Sequence, residues 1–133
     1  MENRVALITG ASDGVGEQAA RALAARGWTV GVIGRTESKV HRVADALGMP
    51  AYVADFADLK AVRELALRLR DDFPRVDVLA NNTGGIFSRQ ARTVDGHEIT
   101  HQVNHLAHFL LTRLLMDRLL DRRAAVINTS SVA

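Results

Sequence analysis

The sequence predicts an α/β fold built on a doubly wound parallel sheet, and three observations predict it. Short apolar runs alternate with helix-forming segments along the whole chain. The first of these runs, Val5-Ala6-Leu7-Ile8, is apolar throughout rather than every second residue, which suits a strand buried on both faces. That run enters its helix through Thr9-Gly10-Ala11-Ser12-Asp13-Gly14-Val15-Gly16, a turn whose glycines let a backbone approach a pyrophosphate at a helix N-terminus. Right-handed crossovers then place helices on both faces and give five strands in the order 3-2-1-4-5.

Taken in order, strand one covers 5–9. Helix one, about 14–26, is Ala-rich and closed by Gly27, with Asp13 positioned to cap it through its carboxylate. Strand two, 29–33, follows Trp28 and ends at Gly34-Arg35-Thr36. Helix two, about 37–47, is stopped by Gly48 and Pro50. Strand three, 51–54, ends at Asp55-Phe56. Helix three, 58–73, sets Leu59, Val62, Leu65, Ala66, Leu69 and Phe73 on one face, with Asp58 as its cap. Strand four, 76–80, leads into Asn81-Asn82-Thr83-Gly84-Gly85 and a polar loop to about 94. A long helix over about 97–121 carries Leu106, Phe109, Leu110 and Leu114 on one side and Leu111, Leu115 and Leu119 on another, too apolar for a single buried face. Strand five is 124–129.

Composition narrows the function classes. The 133 residues suit one domain, 1–133, with a real core. A net charge of +2 is too small to imply a nucleic-acid partner. With no cysteine, disulfides and thiolate chemistry are excluded. No apolar run reaches membrane-spanning length and no leader precedes strand one, so a cytoplasmic protein is expected. His97, His101 and His105 recur at helical spacing, but with no further ligand in a recognised pattern no metal site is expected.

In such sheets ligands bind beyond the carboxyl ends of the strands, so chemistry is sought there. Strand two ends without the carboxylate that would hold the ribose hydroxyls of NAD. Arg35 stands one step later, a guanidinium suited to a 2′-phosphate or, alternatively, a solvated turn residue. Asp55 at the end of strand three is open to a turn role as well as a binding one.

The T-G-x-x-x-G-x-G spacing of the first turn resembles the short-chain dehydrogenase/reductase family, of classical type. Asn81-Asn82-Thr83-Gly84 is close to that family's N-N-A-G, with Thr83 in place of the usual alanine, and Asn128-Thr129-Ser130-Ser131 is like its N-x-S-S. Val103-Asn104-His105-Leu106-Ala107-His108-Phe109-Leu110-Leu111-Thr112 is similar to its retinol-dehydrogenase-like members. The resemblance implies a Rossmann-type fold in which Gly10, Gly14 and Gly16 line the cofactor pyrophosphate and Val15 gives a backbone amide. It puts Ser12 near the adenosine ribose or its 2′-phosphate, and Asp55 with the Phe56 backbone beside the adenine. Asp13 belongs to the same cofactor-binding turn, and Asn82, Thr83 and Gly84 pass the cofactor. A basic residue after strand two, here Arg35, goes in the family with NADP rather than NAD. Asn104 implies a catalytic position whose main-chain carbonyl holds a water in a proton relay, and Ser131 the catalytic serine.

The family's Y-x-x-x-K segment is missing. The sole tyrosine, Tyr52, falls in strand three, far upstream of the serine, and has Phe56 at the lysine position. The expectation is therefore an NADP(H)-dependent oxidoreductase acting on a small carbonyl or alcohol, represented by its cofactor-binding part, truncated before the last strands and inactive as it stands. A non-catalytic NADP(H) sensor or assembly module is the alternative. The resemblance also implies a homo-oligomer formed through the 97–121 helix.

Overall fold

A computed structural model describes residues 3–130. Five strands, β1 (Val5–Thr9), β2 (Thr29–Gly34), β3 (Ala51–Val53), β4 (Val78–Asn81) and β5 (Ala125–Asn128), form one sheet in the order β3-β2-β1-β4-β5. All four pairings are parallel, with Leu7 opposite Gly31 on one side and Leu79 on the other. The predicted order and parallel sense are those observed.

Successive strand residues point to opposite faces, and this divides the core in two. Leu7, Ile33 and Leu79 pack on one face under α3 (Leu59–Asp72) and α5 (Ala107–Leu114). Ile8, Val30 and Val32 pack on the other under α1 (Gly14–Ala25) and α2 (Glu37–Leu47). Every β1 residue after Val5 is buried, which explains why the run reads as continuously apolar.

The helix ends follow local chemistry. Beyond α1, Gly27 takes φ 88°, and the Gly27 and Trp28 amides bond the Ala24 and Leu23 carbonyls, closing the last turn. On α3 the Asp58 carboxylate accepts from the Lys60 amide, as expected. On α1, by contrast, the Asp13 carboxylate makes no cap bond. Its main-chain carbonyl accepts from Glu17, while the side chain lies 3.8 Å from the Lys39 ammonium.

The long helix departs most from expectation. Residues 97 and 98 lie outside it: Glu98 caps the start, its carboxylate accepting from the Thr100 and His101 amides. The helical run comprises α4 (Ile99–His101), a π-helical turn (Gln102–Leu106), α5 and, after a break at Leu115, α6 (Met116–Leu120). His97 thus shares no helix face with the other two histidines, and only His101 and His105 stack, with ring centroids 5.4 Å apart. Of the two apolar sides, Leu111, Leu115 and Leu119 are buried, whereas Phe109 is 61% exposed.

Candidate functional site

The glycine-rich turn is built by exclusion of side chains. Gly10 and Gly14 adopt left-handed backbone, φ 64° and 54°. A Cβ on Gly16 would lie 2.1 Å from the Gly10 carbonyl oxygen, so α1 can approach the turn only without one. Gly14 has nothing within 4 Å of that position and faces open space. Gly10 and Gly14 line a cleft of about 590 Å³, with Ser12, Asp13 and exposed Val15; buried Gly16 supports the turn from behind.

Thr9, fully buried, fastens this turn to the strand-four end. Its hydroxyl oxygen accepts from the Asn82 and Thr83 amides at 2.9 Å each and donates to the Ala80 carbonyl at 3.3 Å. The Asn82 side chain donates to the Gly10 carbonyl at 3.4 Å. A hydroxyl that satisfies two main-chain amides at once fixes two strand ends relative to each other. The sequence pattern contains Thr9, but this role becomes visible only in three dimensions.

At the β2 end the cleft gathers positive charge. Arg35, exposed and without an ion pair or hydrogen bond among the described residues, lines it with Ser12, Gly34, Thr36 and Lys39. Gly34 admits close packing there: a Cβ would come within 3.1 Å of the Ser12 hydroxyl. Arg42 holds the Ser12 carbonyl at 3.2 Å and the Glu17 carboxylate at 3.3 Å. Glu17 also takes two bonds from Arg21, and these guanidinium contacts keep its carboxyl below the usual range. Lys39 escaped sequence reasoning because it sits on a helix, four residues from the strand end that drew attention.

Asp55 and Phe56 divide their functions. One Asp55 oxygen accepts from the Ala57 amide at 2.9 Å, a local turn, and the residue borders the cleft. The Phe56 ring is core, 3% exposed. Its carbonyl accepts from buried Gln102, which also donates to Asp95 and accepts from Thr93, tying down the loop before α4.

Beyond strand four, Asn82, Thr83, Gly84 and Gly85 border the cleft. The long helix meets this segment through three polar contacts. Asn81 donates to the Thr112 hydroxyl at 3.1 Å and to Asn128 on β5 at 3.0 Å. His108 Nε2 contacts the Thr83 carbonyl at 2.6 Å. Asn104, within the π turn and exposed, both accepts from the Gly85 amide and donates to the Gly85 carbonyl at 2.9 Å. On the far side of these contacts lies a second cavity of about 310 Å³, bordered by Asn104, His105, His108, Asn128 and Ser130. Ser131 falls outside the described residues.

His108 is the titratable group bonded to this segment. It is 7% exposed, and burial pushes its pKa below the ordinary histidine value. Tyr52 is far from it in role: its hydroxyl donates to Asp72 at 2.6 Å, and burial with that carboxylate drives its pKa well up. Among the described residues no group of three His, Cys, Asp or Glu side chains is placed to hold a metal ion, and no helix is long and apolar enough to cross a membrane.

The chain is 47% identical over its whole length to DnrU of Streptomyces sp. (strain C5), named as a candidate daunorubicin C-13 ketoreductase, of which it covers 48%. It is 38% identical over 98% of its length to human retinol dehydrogenase 13, covering 42% of that protein. It spans less than half the length of these relatives. In three dimensions it matches a candidate short-chain dehydrogenase of Shigella flexneri 2a, solved with NADP, at TM-score 0.82 and 30% identity, over 98% of this chain and 60% of the other. The family model described as short chain dehydrogenase matches residues 4–133. With the glycine turn at the head of α1 and the sheet order β3-β2-β1-β4-β5, the chain belongs to the short-chain dehydrogenase family.

Proposed function

We propose that the chain is the cofactor-binding part of an NADP(H)-dependent oxidoreductase that reduces a carbonyl or oxidises an alcohol. The observation that carries the cofactor choice is the β2 end, where Arg35 and Lys39 border the cleft beside Ser12 and no side chain stands at Gly34. Two cations and a hydroxyl suit a phosphate monoester; the strand end itself carries no carboxylate, and Asp13, which also lines the cleft, is paired with Lys39 at 3.8 Å. The cleft fits a dinucleotide: its volume is in the range of cofactor sites, and its floor at Gly14 is open main chain.

When bound, the nicotinamide supplies or accepts the hydride. The chain's own residues bind and orient. The N-terminus of α1 presents free amides to the pyrophosphate. Arg35, Lys39 and Ser12 hold the 2′-phosphate, and Asp55 with the Phe56 main chain borders the adenine. Asn82, Thr83 and Gly84 guide the cofactor past the strand-four end. Asn104 lies in a π turn, a local widening that recurs at functional sites, which supports its role in a water relay. Ser131 is the residue proposed to polarise the substrate oxygen.

Titration with NADPH and NADH tests the proposal. NADPH is expected to bind more tightly by about 1–3 kcal/mol. Arg35→Ala and Lys39→Ala should each erode that margin while leaving NADH affinity unchanged. Equal affinities for the two cofactors in the unaltered protein would overturn the NADP assignment.

A further inference from the structure

The three contacts between the long helix and the strand-four end fall at regular intervals. Thr112, His108 and Asn104 are four residues apart on the helix, and they meet Asn81, Thr83 and Gly85, two residues apart on the other segment. A helix advances about 6 Å in four residues and an extended chain about 6.6 Å in two, so the two runs stay in step. The helix therefore carries a polar stripe, N-x-x-x-H-x-x-x-T, and the stripe is bonded to the strand-four end that borders the cofactor cleft.

His108 is the central rung and the only titratable one. A carbonyl can only accept, so the 2.6 Å contact to Thr83 requires the proton on Nε2. Nδ1 is buried and has no partner among the described residues, so the Thr83 bond is the ring's whole polar anchorage there. The Phe56 ring packs against the imidazole edge-on, centroids 5.4 Å apart at 73°, and fixes its plane. Thr83 borders the cofactor cleft and His108 the second cavity, so this bond spans the wall between them.

We propose that His108 is a positioning residue: as the Nε2–H tautomer it holds the Thr83 carbonyl, and through it sets the wall that the nicotinamide half of the cofactor passes. The inference rests on the cofactor reading above for its consequence, but the hydrogen bond itself does not.

Two measurements test it. In the protein labelled with ¹⁵N-histidine, NMR should report His108 at neutral pH as a neutral ring protonated on Nε2. Protonation on Nδ1, or a charged ring at pH 7, would overturn the proposal. The second measurement compares two amides. His108→Gln places a donor near the Nε2 position, whereas His108→Asn places one near Nδ1, out of reach of Thr83. Folding of each variant is verified first by circular dichroism. NADPH affinity should stay within about threefold for His108→Gln and fall about three- to tenfold for His108→Asn, the value of one hydrogen bond. Equal losses in both folded variants would overturn the positioning role. Failure of the unaltered protein to bind NADPH would count against the cofactor reading alone, with the tautomer still deciding the bond.

Discussion

At the scale of single residues, the glycines of one turn have different reasons to be glycine. Gly16→Ala would drive a methyl to 2.1 Å from the Gly10 oxygen, a contact relieved only by moving α1 or the turn. Gly14→Ala meets no atom and costs only its left-handed backbone, about 1–2 kcal/mol. Thermal melts should therefore show a much larger loss for Gly16→Ala than for Gly14→Ala, and a reversed order would contradict this packing. Titration separates two other residues. The folded pKa of His108 lies below the ordinary value of about 6.5, so its neutral form stabilises the fold fully above that pH. As pH falls below it, the unfolded chain takes up the proton first, and this stability is lost until the folded ring is protonated too. Asp117, held down to about 2 by the Arg70 guanidinium, loses its contribution only at lower pH, between about 4 and 2. Melting temperature against pH should thus show an upper step that His108→Gln removes and a lower one that it leaves. The strand-end residues were legible because glycine and short polar residues stand out after an apolar run. Lys39 and His108 were not, since a side chain on a helix reaches a site only through tertiary placement.

At the scale of elements, the strands were read correctly because burial on both faces leaves a continuous apolar signature, and helices α1 to α3 because caps and glycines punctuate them. The long helix was read as unbroken for an equally physical reason. Neither the π turn at Gln102–Leu106 nor the break at Leu115, φ −99°, contains glycine or proline, and helical spacing of apolar residues continues through both. Its outer side bears on association. All four residues of β5 are exposed, with Ile127 at 53%, and among the described residues β5 pairs only with β4, leaving an open sheet edge beside exposed Phe109. The 133-residue chain should therefore dimerise or aggregate through this edge. Light scattering is expected to give a mass above the monomer that rises with concentration, and a monomer at high concentration would refute it.

At the scale of the whole molecule, the function proposed above separates binding from chemistry along the chain. The 133 residues contain no Tyr-x-x-x-Lys segment, and the one tyrosine is committed to Asp72. A missing general acid typically costs about 10²–10⁴-fold. This chain alone is accordingly expected to bind NADPH yet oxidise it at no measurable rate with aldehydes, ketones or quinones. Turnover that survives Ser131→Ala would place the chemistry elsewhere. The cleft itself is bordered only by residues between Gly10 and Val103. Everything a dinucleotide would touch there is thus available early, as the polypeptide leaves the ribosome and before β5 has been synthesised. A ligand that binds only the folded form stabilises it by mass action. With NADPH as the cofactor, as proposed above, the cellular pool would favour folding of the nascent chain, and its depletion would reduce the yield of folded protein.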